Sequence, residues 1–117
     1  DTHLHTMMGV SPAQAAQALG EWGVAALGAN CGANPDEMAV IVEQLRAAAP
    51  EAHLIAQPNA GKPRLAADDR ALYDLPPEEL ARYARQYRAL GATIIGGCCG
   101  TTPAHIQAVV EALRATS

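Results

Sequence analysis

The sequence predicts an α/β fold with parallel strands, matching the C-terminal part of a (β/α)8 TIM barrel, roughly its strands six to eight with their helices. Two observations predict it. Apolar runs alternate with amphipathic segments in the order helix, strand, helix, strand, helix, strand, helix. The strands begin near residues 24, 54 and 93, and a spacing of roughly 30 to 40 residues is that of one strand–helix unit. Such units close an eight-fold barrel of ~250 residues, so about three and a half of them are present here. A piece of this size leaves strand edges exposed, and residues 1–117 read as the C-terminal part of a barrel, cut from a longer chain. A small open doubly wound sheet is the alternative architecture.

Asp1 to Val10 reads as the tail of a strand and its loop. Ser11 caps and Pro12 opens a helix that runs through Ala13, Ala16 and Leu19 to about Trp22, where Gly23 stops it. Val24 to Asn30 is a continuous apolar run, which predicts a strand buried on both faces. Asn34-Pro35-Asp36-Glu37 opens the next helix, with its acids where the helix dipole favours them. Met38, Ile41, Val42 and Leu45 form its apolar stripe, and Pro50 ends it.

His53 to Gln57 is the second full strand. Pro58-Asn59-Ala60-Gly61-Lys62-Pro63 is rich in turn residues, and the loop is expected to run on through Asp74. Pro77-Glu78-Glu79 starts a helix carrying Leu80, Tyr83, Ala84, Tyr87 and Leu90, with Gly91 at its end. Thr93-Ile94-Ile95 is the third strand. Thr102 then caps a last helix that opens on Pro103 and carries Ile106, Val109, Val110 and Leu113.

Composition excludes several function classes. The chain of 117 residues is half apolar but has no Phe, so its core is built mainly from Ala, Leu, Val and Ile. A net charge of -4 gives no footprint for nucleic acid or an anionic membrane. No apolar run approaches the ~20 residues needed to span a bilayer. The three cysteines are an odd number, which does not suggest a disulfide scaffold, and a reducing cytoplasm is the expected location.

The cysteines carry the chemistry. Cys98 and Cys99 end one apolar run and Cys31 ends another, each followed by glycine and then by a helix start. All three therefore fall at the C-terminal ends of strands, where ligands bind in both candidate architectures. A lone cysteine such as Cys31 is more often a small buried hydrophobe, and a Cys-Cys pair can be packing, a redox pair or a strained disulfide. The shared placement of all three raises a metal site to an equal reading. Three thiolates are soft ligands that suit Zn2+ and leave its fourth position open. Such a site is anionic and so a poor Lewis acid toward carbonyls. It suits binding an incoming thiol, driving off its proton and leaving the sulfur nucleophilic.

Gly28-Ala29-Asn30-Cys31-Gly32 and Gly96-Gly97-Cys98-Cys99-Gly100-Thr101-Thr102-Pro103 together resemble the homocysteine S-methyltransferase family, in order and in spacing, over nearly the whole chain. Asp1-Thr2 and Met7-Met8-Gly9 are similar to the end of that family's fifth strand and its loop. Pro58 to Pro63 is most similar to the homocysteine-binding domain of cobalamin-dependent methionine synthases. Tyr73-Asp74-Leu75-Pro76-Pro77 matches the Tyr-x-Leu-x-Pro element that follows there.

The resemblance implies a barrel whose sixth and eighth strands carry zinc thiolates, with Cys31, Cys98 and Cys99 as the ligands. Asn59 falls where a side-chain oxygen fills the fourth position until substrate displaces it. The implied reaction is zinc-dependent methyl transfer to the thiol of homocysteine, giving methionine. The implied donors are methylcobalamin on another domain, recharged from methyltetrahydrofolate, or betaine, or S-methylmethionine. The large departure is the absent first half of the barrel, which in the family supplies most groups holding the amino-acid end of homocysteine. Residues 1–117 are then a partial homocysteine-binding domain whose implied partner is the missing N-terminal half-barrel. Alone, the stretch could hold the zinc ligands and still be inactive.

Three rival readings follow from other residues. Asp1-Thr2-His3-Leu4-His5 resembles the first metal motif of amidohydrolase barrels, which would make the protein a metal-dependent hydrolase, but His53 and His105 do not fall at strand ends. Gly96 to Pro103 could cradle a phosphate at a helix N-terminus, which leaves the cysteines unexplained. A truncated product that pairs through its open edges is the non-enzymatic reading. Lys62 reads as a solvated loop residue, and Trp22 and the tyrosines as packing, with Tyr73 set apart by its place in a loop on the ligand-facing side.

Overall fold

The computed structural model describes residues 6, 8–31, 34–61, 63–65, 67 and 71–115. Asp1 to His5, Met7, Gly32 and Lys62 lie outside them, and with them the expected strand tail and the amidohydrolase-like motif. The elements are α1 (Pro12–Glu21), β1 (Ala26–Asn30), α2 (Pro35–Ala48), β2 (His53–Gln57), β3 (Pro63–Leu65), β4 (Ala71–Tyr73), α3 (Pro77–Ala89), β5 (Ala92–Ile95) and α4 (Pro103–Ala115).

Reciprocal caps set the helix starts. The Ser11 hydroxyl accepts from Gln14 N while Gln14 Oε1 accepts from Ser11 N. Asn34 and Glu37 repeat the exchange at the start of α2. The third case uses a histidine: Thr102 N donates to His105 Nδ1 at 3.1 Å and His105 N donates to Thr102 Oγ1 at 3.4 Å. Nδ1 is thus an acceptor, so Nε2 carries the proton and donates to Leu75 O at 2.6 Å. His105 is buried and ties α4 to the segment ahead of α3.

β1, β2 and β5 form one parallel sheet with β2 in the middle. Leu27, Leu54, Ala56 and Ala92 project from one face into a single core with Ala16 of α1, Met38, Val42 and Leu45 of α2, and Tyr83 and Tyr87 of α3. Val109 of α4 packs on Leu80 and Ala84 of α3, with Ile95 of the sheet beside them. Two hydrogen bonds fix α3 against the start of α2: Tyr87 donates to Pro35 O at 2.8 Å in a buried bond, and Tyr83 donates to Asp36 Oδ1 at 2.9 Å in a half-buried one.

All the helices gather on that one face. The alternate positions Gly28 and Ile94 are exposed, Ile94 by 48%. This corrects the expectation of a strand buried on both faces from Val24 onward. β1 begins at Ala26, Leu27 alone among its residues is fully buried, and Val24 is 41% exposed. One-sided layering is the geometry of a barrel segment, whose second face is the barrel interior, and a doubly wound sheet would carry helices on both faces.

The second correction concerns the loop after β2. It contains an antiparallel hairpin, with Pro63 opposite Tyr73 and Leu65 opposite Ala71. Its strands have three residues each, too short for an alternating pattern to be read.

Candidate metal centre

The loop that follows β2 is the scaffold of the site. Cys31 N donates to Gln57 O at 3.0 Å, extending the β1–β2 ladder by one bond. On the other side Cys98 N donates to Pro58 O at 2.9 Å, and Ala60 N donates to Cys99 O at 2.9 Å. Asn59 Oδ1 accepts from Cys99 N at 3.1 Å. The single strand between Cys31 and the Cys98-Cys99 pair therefore supplies, through Gln57 to Ala60, the backbone partners that hold both cysteine segments.

Cys31 has φ +52°, the one non-glycine residue with positive φ among the described residues. The left-handed conformation costs an L-residue roughly 1–2 kcal/mol. Such strain, where it persists, is held by the surrounding structure and gathers at functional sites. Here the ladder bond to Gln57 O holds it, and Cys31 Sγ comes to 3.5 Å from Cys99 Sγ.

All three sulfurs, Cys31, Cys98 and Cys99, lie within 4.8 Å of one another, and none of the three is in a disulfide. Thiolates held tetrahedrally at about 2.3 Å from a zinc ion stand about 3.8 Å apart. The donor set and its spacing fit that ion. With no ion bound, hydrogen bonding with Cys31, first among several causes, pushes the Cys99 thiol above its ordinary value. A divalent cation reverses that logic, because a coordinating thiol is deprotonated outright.

The structure brings Asn59 to the site through its bond to Cys99 N, and Oδ1 keeps a second lone pair. His53 lies at the opposite, N-terminal end of β2, and His105 is engaged by Thr102 and Leu75. The start of α4, proposed as a phosphate cradle, caps itself through Thr102 and His105.

Two residues not assigned to the site from sequence also reach it. Asn30 Nδ2 donates to Cys98 Sγ at 3.9 Å. Tyr73 lies against Gly100, next to Cys99, and its phenol is pushed up from the ordinary tyrosine value, with Cys99 the first cause. Asn30 directly precedes a cysteine. For Tyr73 the only signal is its place in a loop on the ligand-facing side.

A family model described as homocysteine S-methyltransferase matches residues 1–113. The chain belongs to the homocysteine S-methyltransferase family. Its relatives include methionine synthase of Mycobacterium tuberculosis (strain ATCC 25618 / H37Rv), 40% identical over 110 residues, and methionine synthase of Mycobacterium leprae (strain TN), 39% identical over 110 residues. The S-methylmethionine–homocysteine S-methyltransferase of Rattus norvegicus is 34% identical over 122 aligned residues. Each alignment takes in 92% of this chain but only 9% of either methionine synthase and 34% of the rat enzyme. The family expected from the two cysteine motifs is thus found, and the parallel sheet with its four helices is consistent with the expected barrel segment. Among the described residues no helix is long and apolar enough to cross a membrane.

Proposed function

We propose that this chain is the zinc-thiolate part of a homocysteine S-methyltransferase, acting in a reducing cytoplasm. The observation that carries the reading is the approach of the Cys31, Cys98 and Cys99 sulfurs to within 4.8 Å of one another, from two strand ends of one sheet. These three side chains would hold the ion. When bound, Zn2+ supplies the charge that removes the proton from an incoming thiol near neutral pH.

The chain's own groups then have separate tasks. The backbone bonds from Gln57 and Pro58 keep the cysteine segments at fixed separation. Asn59 braces the Cys98-Cys99 turn through Cys99 N, and its second lone pair would offer the ion an oxygen ligand that substrate could displace. The homocysteine sulfur would be the methyl acceptor here, giving methionine. Residues 1–117 form part of a homocysteine-binding domain, and the amino-acid end of homocysteine is held by the first half of the barrel. The relatives' names include methionine synthase and S-methylmethionine–homocysteine S-methyltransferase. The donor is accordingly methylcobalamin recharged from methyltetrahydrofolate, S-methylmethionine, or betaine.

Zinc-edge X-ray absorption on the zinc-loaded chain tests this. The expected result is a shell of three sulfurs and one lighter atom that becomes four sulfurs when homocysteine is added in excess. A shell with fewer than three sulfurs, or one that homocysteine leaves unchanged when the N-terminal half-barrel is present, contradicts the reading.

A further inference from the structure

α1 and α2 open on a reciprocal cap whose third helical residue is Gln14 or Glu37, and α4 opens in the same way with His105. Gln14 Oε1 and Glu37 Oε1 bond within their own helix starts. The imidazole has a second nitrogen on the far side of its ring, and that nitrogen reaches another segment. Nδ1 accepts from Thr102 N at 3.1 Å and stands 2.8 Å from Thr102 Oγ1, while Nε2 donates to Leu75 O at 2.6 Å. His105 is buried, where water does not replace a lost hydrogen bond.

The bond to Leu75 closes a ring around the double cysteine. Leu75 N donates to Ala60 O at 3.1 Å, and Ala60 N donates to Cys99 O at 2.9 Å. Three residues on from Cys99 the chain comes to Thr102, which His105 holds. The path from Cys99 through Ala60, Leu75 and His105 back to Thr102 is therefore continuous. The turn inside it has little slack. Thr101 N donates to Cys98 O at 3.1 Å, and Gly100, at φ +81°, lies so close to Tyr73 that a Cβ there would overlap Tyr73 Cβ and Cγ.

Resting on the zinc-thiolate reading, we infer that His105 is a positioning residue for the metal centre: it closes the ring that holds the Cys98-Cys99 turn in place against Cys31. None of its hydrogen bonds is to a cysteine. It acts through Leu75, Ala60 and the Cys99 carbonyl, and the proton on Nε2 is the link that a plain helix cap lacks. Groups outside the ligand set that fix the ligands in place change metal affinity by roughly tenfold to a hundredfold when removed. His105 stands further back than such groups, which sets the lower end as the expected effect.

Zinc affinity of the full chain, read by competition with a chromophoric chelator, tests this beside thermal unfolding of the zinc-free protein. His105→Glu keeps an acceptor for Thr102 N, as Glu37 does for Asn34 N, and has no proton for Leu75 O. His105→Gln carries an acceptor and a donor on one amide. The glutamate variant is expected to bind zinc roughly tenfold more weakly at a temperature where it is fully folded, and the glutamine variant to recover most of that loss. If the glutamate variant does not fold, His105→Leu removes both bonds without burying a charge, and the same loss is expected of it. Zinc affinity unchanged while the unfolding temperature falls would make His105 a helix cap alone and overturn the inference. Equal weakening with and without the amide donor would overturn it too. A wild-type chain that takes up no zinc would overturn the underlying reading itself, before any variant is compared.

Discussion

Cys31 Sγ and Cys99 Sγ stand 3.5 Å apart although 68 residues separate them in the chain. They meet because both segments are bonded to one short stretch, Cys31 to Gln57 and the Cys98-Cys99 pair to Pro58, Asn59 and Ala60. The site is therefore a property of the parallel sheet, and the first prediction concerns what holding it costs the chain.

Cys31 occupies the left-handed region at φ +52°. Glycine adopts that conformation without a side-chain penalty, whereas alanine does not. Cys31→Gly is expected to be more stable than Cys31→Ala by about 1 kcal/mol, although both remove the thiol. Urea denaturation of the two variants checks this. Equal midpoints would mean that the backbone there is not strained.

Gly28 lies in β1 opposite Ile55, and a Cβ added to it would overlap the Ile55 carbonyl oxygen. The clash is with backbone of the central strand, which cannot turn aside as a side-chain tip can. Gly28→Ala is expected to lose about 1–3 kcal/mol of stability and to loosen the Cys31 segment two residues beyond. Thermal unfolding measures the first effect and metal affinity the second.

Tyr87 is fully buried and donates to Pro35 O, and burial holds its phenol far above the ordinary tyrosine value. In the unfolded chain it ionises near ~10. Below that pH both states keep the proton and its contribution is constant. Above it the unfolded state loses the proton while the folded state does not, so stability falls as pH rises. Tyr87→Phe is expected to flatten the decline between pH ~9 and ~11, at a cost of about 1 kcal/mol near neutrality. Unfolding curves across that range decide it.

The sequence made the layer order, the capped helix starts and the two cysteine-bearing strand ends legible, because each has a local cause. Ser11 and Asn34 cap through residues three positions on. Cys31 and Cys99 follow apolar runs that can only be strands of this length. The hairpin was not legible, since three-residue strands carry no period. The open face at Gly28 and Ile94 was not legible either. A strand that lines a barrel interior is as apolar as one covered by helices, so composition cannot tell which is present. Tyr73 of the hairpin comes against Gly100, next to Cys99, a relation with no trace in spacing.

The most direct test of the central claim is zinc per chain, by elemental analysis of protein purified under reducing conditions without chelator. The account predicts about one zinc per chain, the fourth position of a three-thiolate site being left open. It also predicts loss of the metal when Cys31, Cys98 or Cys99 is changed singly to serine, with helical content retained. A folded wild-type chain without zinc, or zinc retained in all three variants, would contradict it.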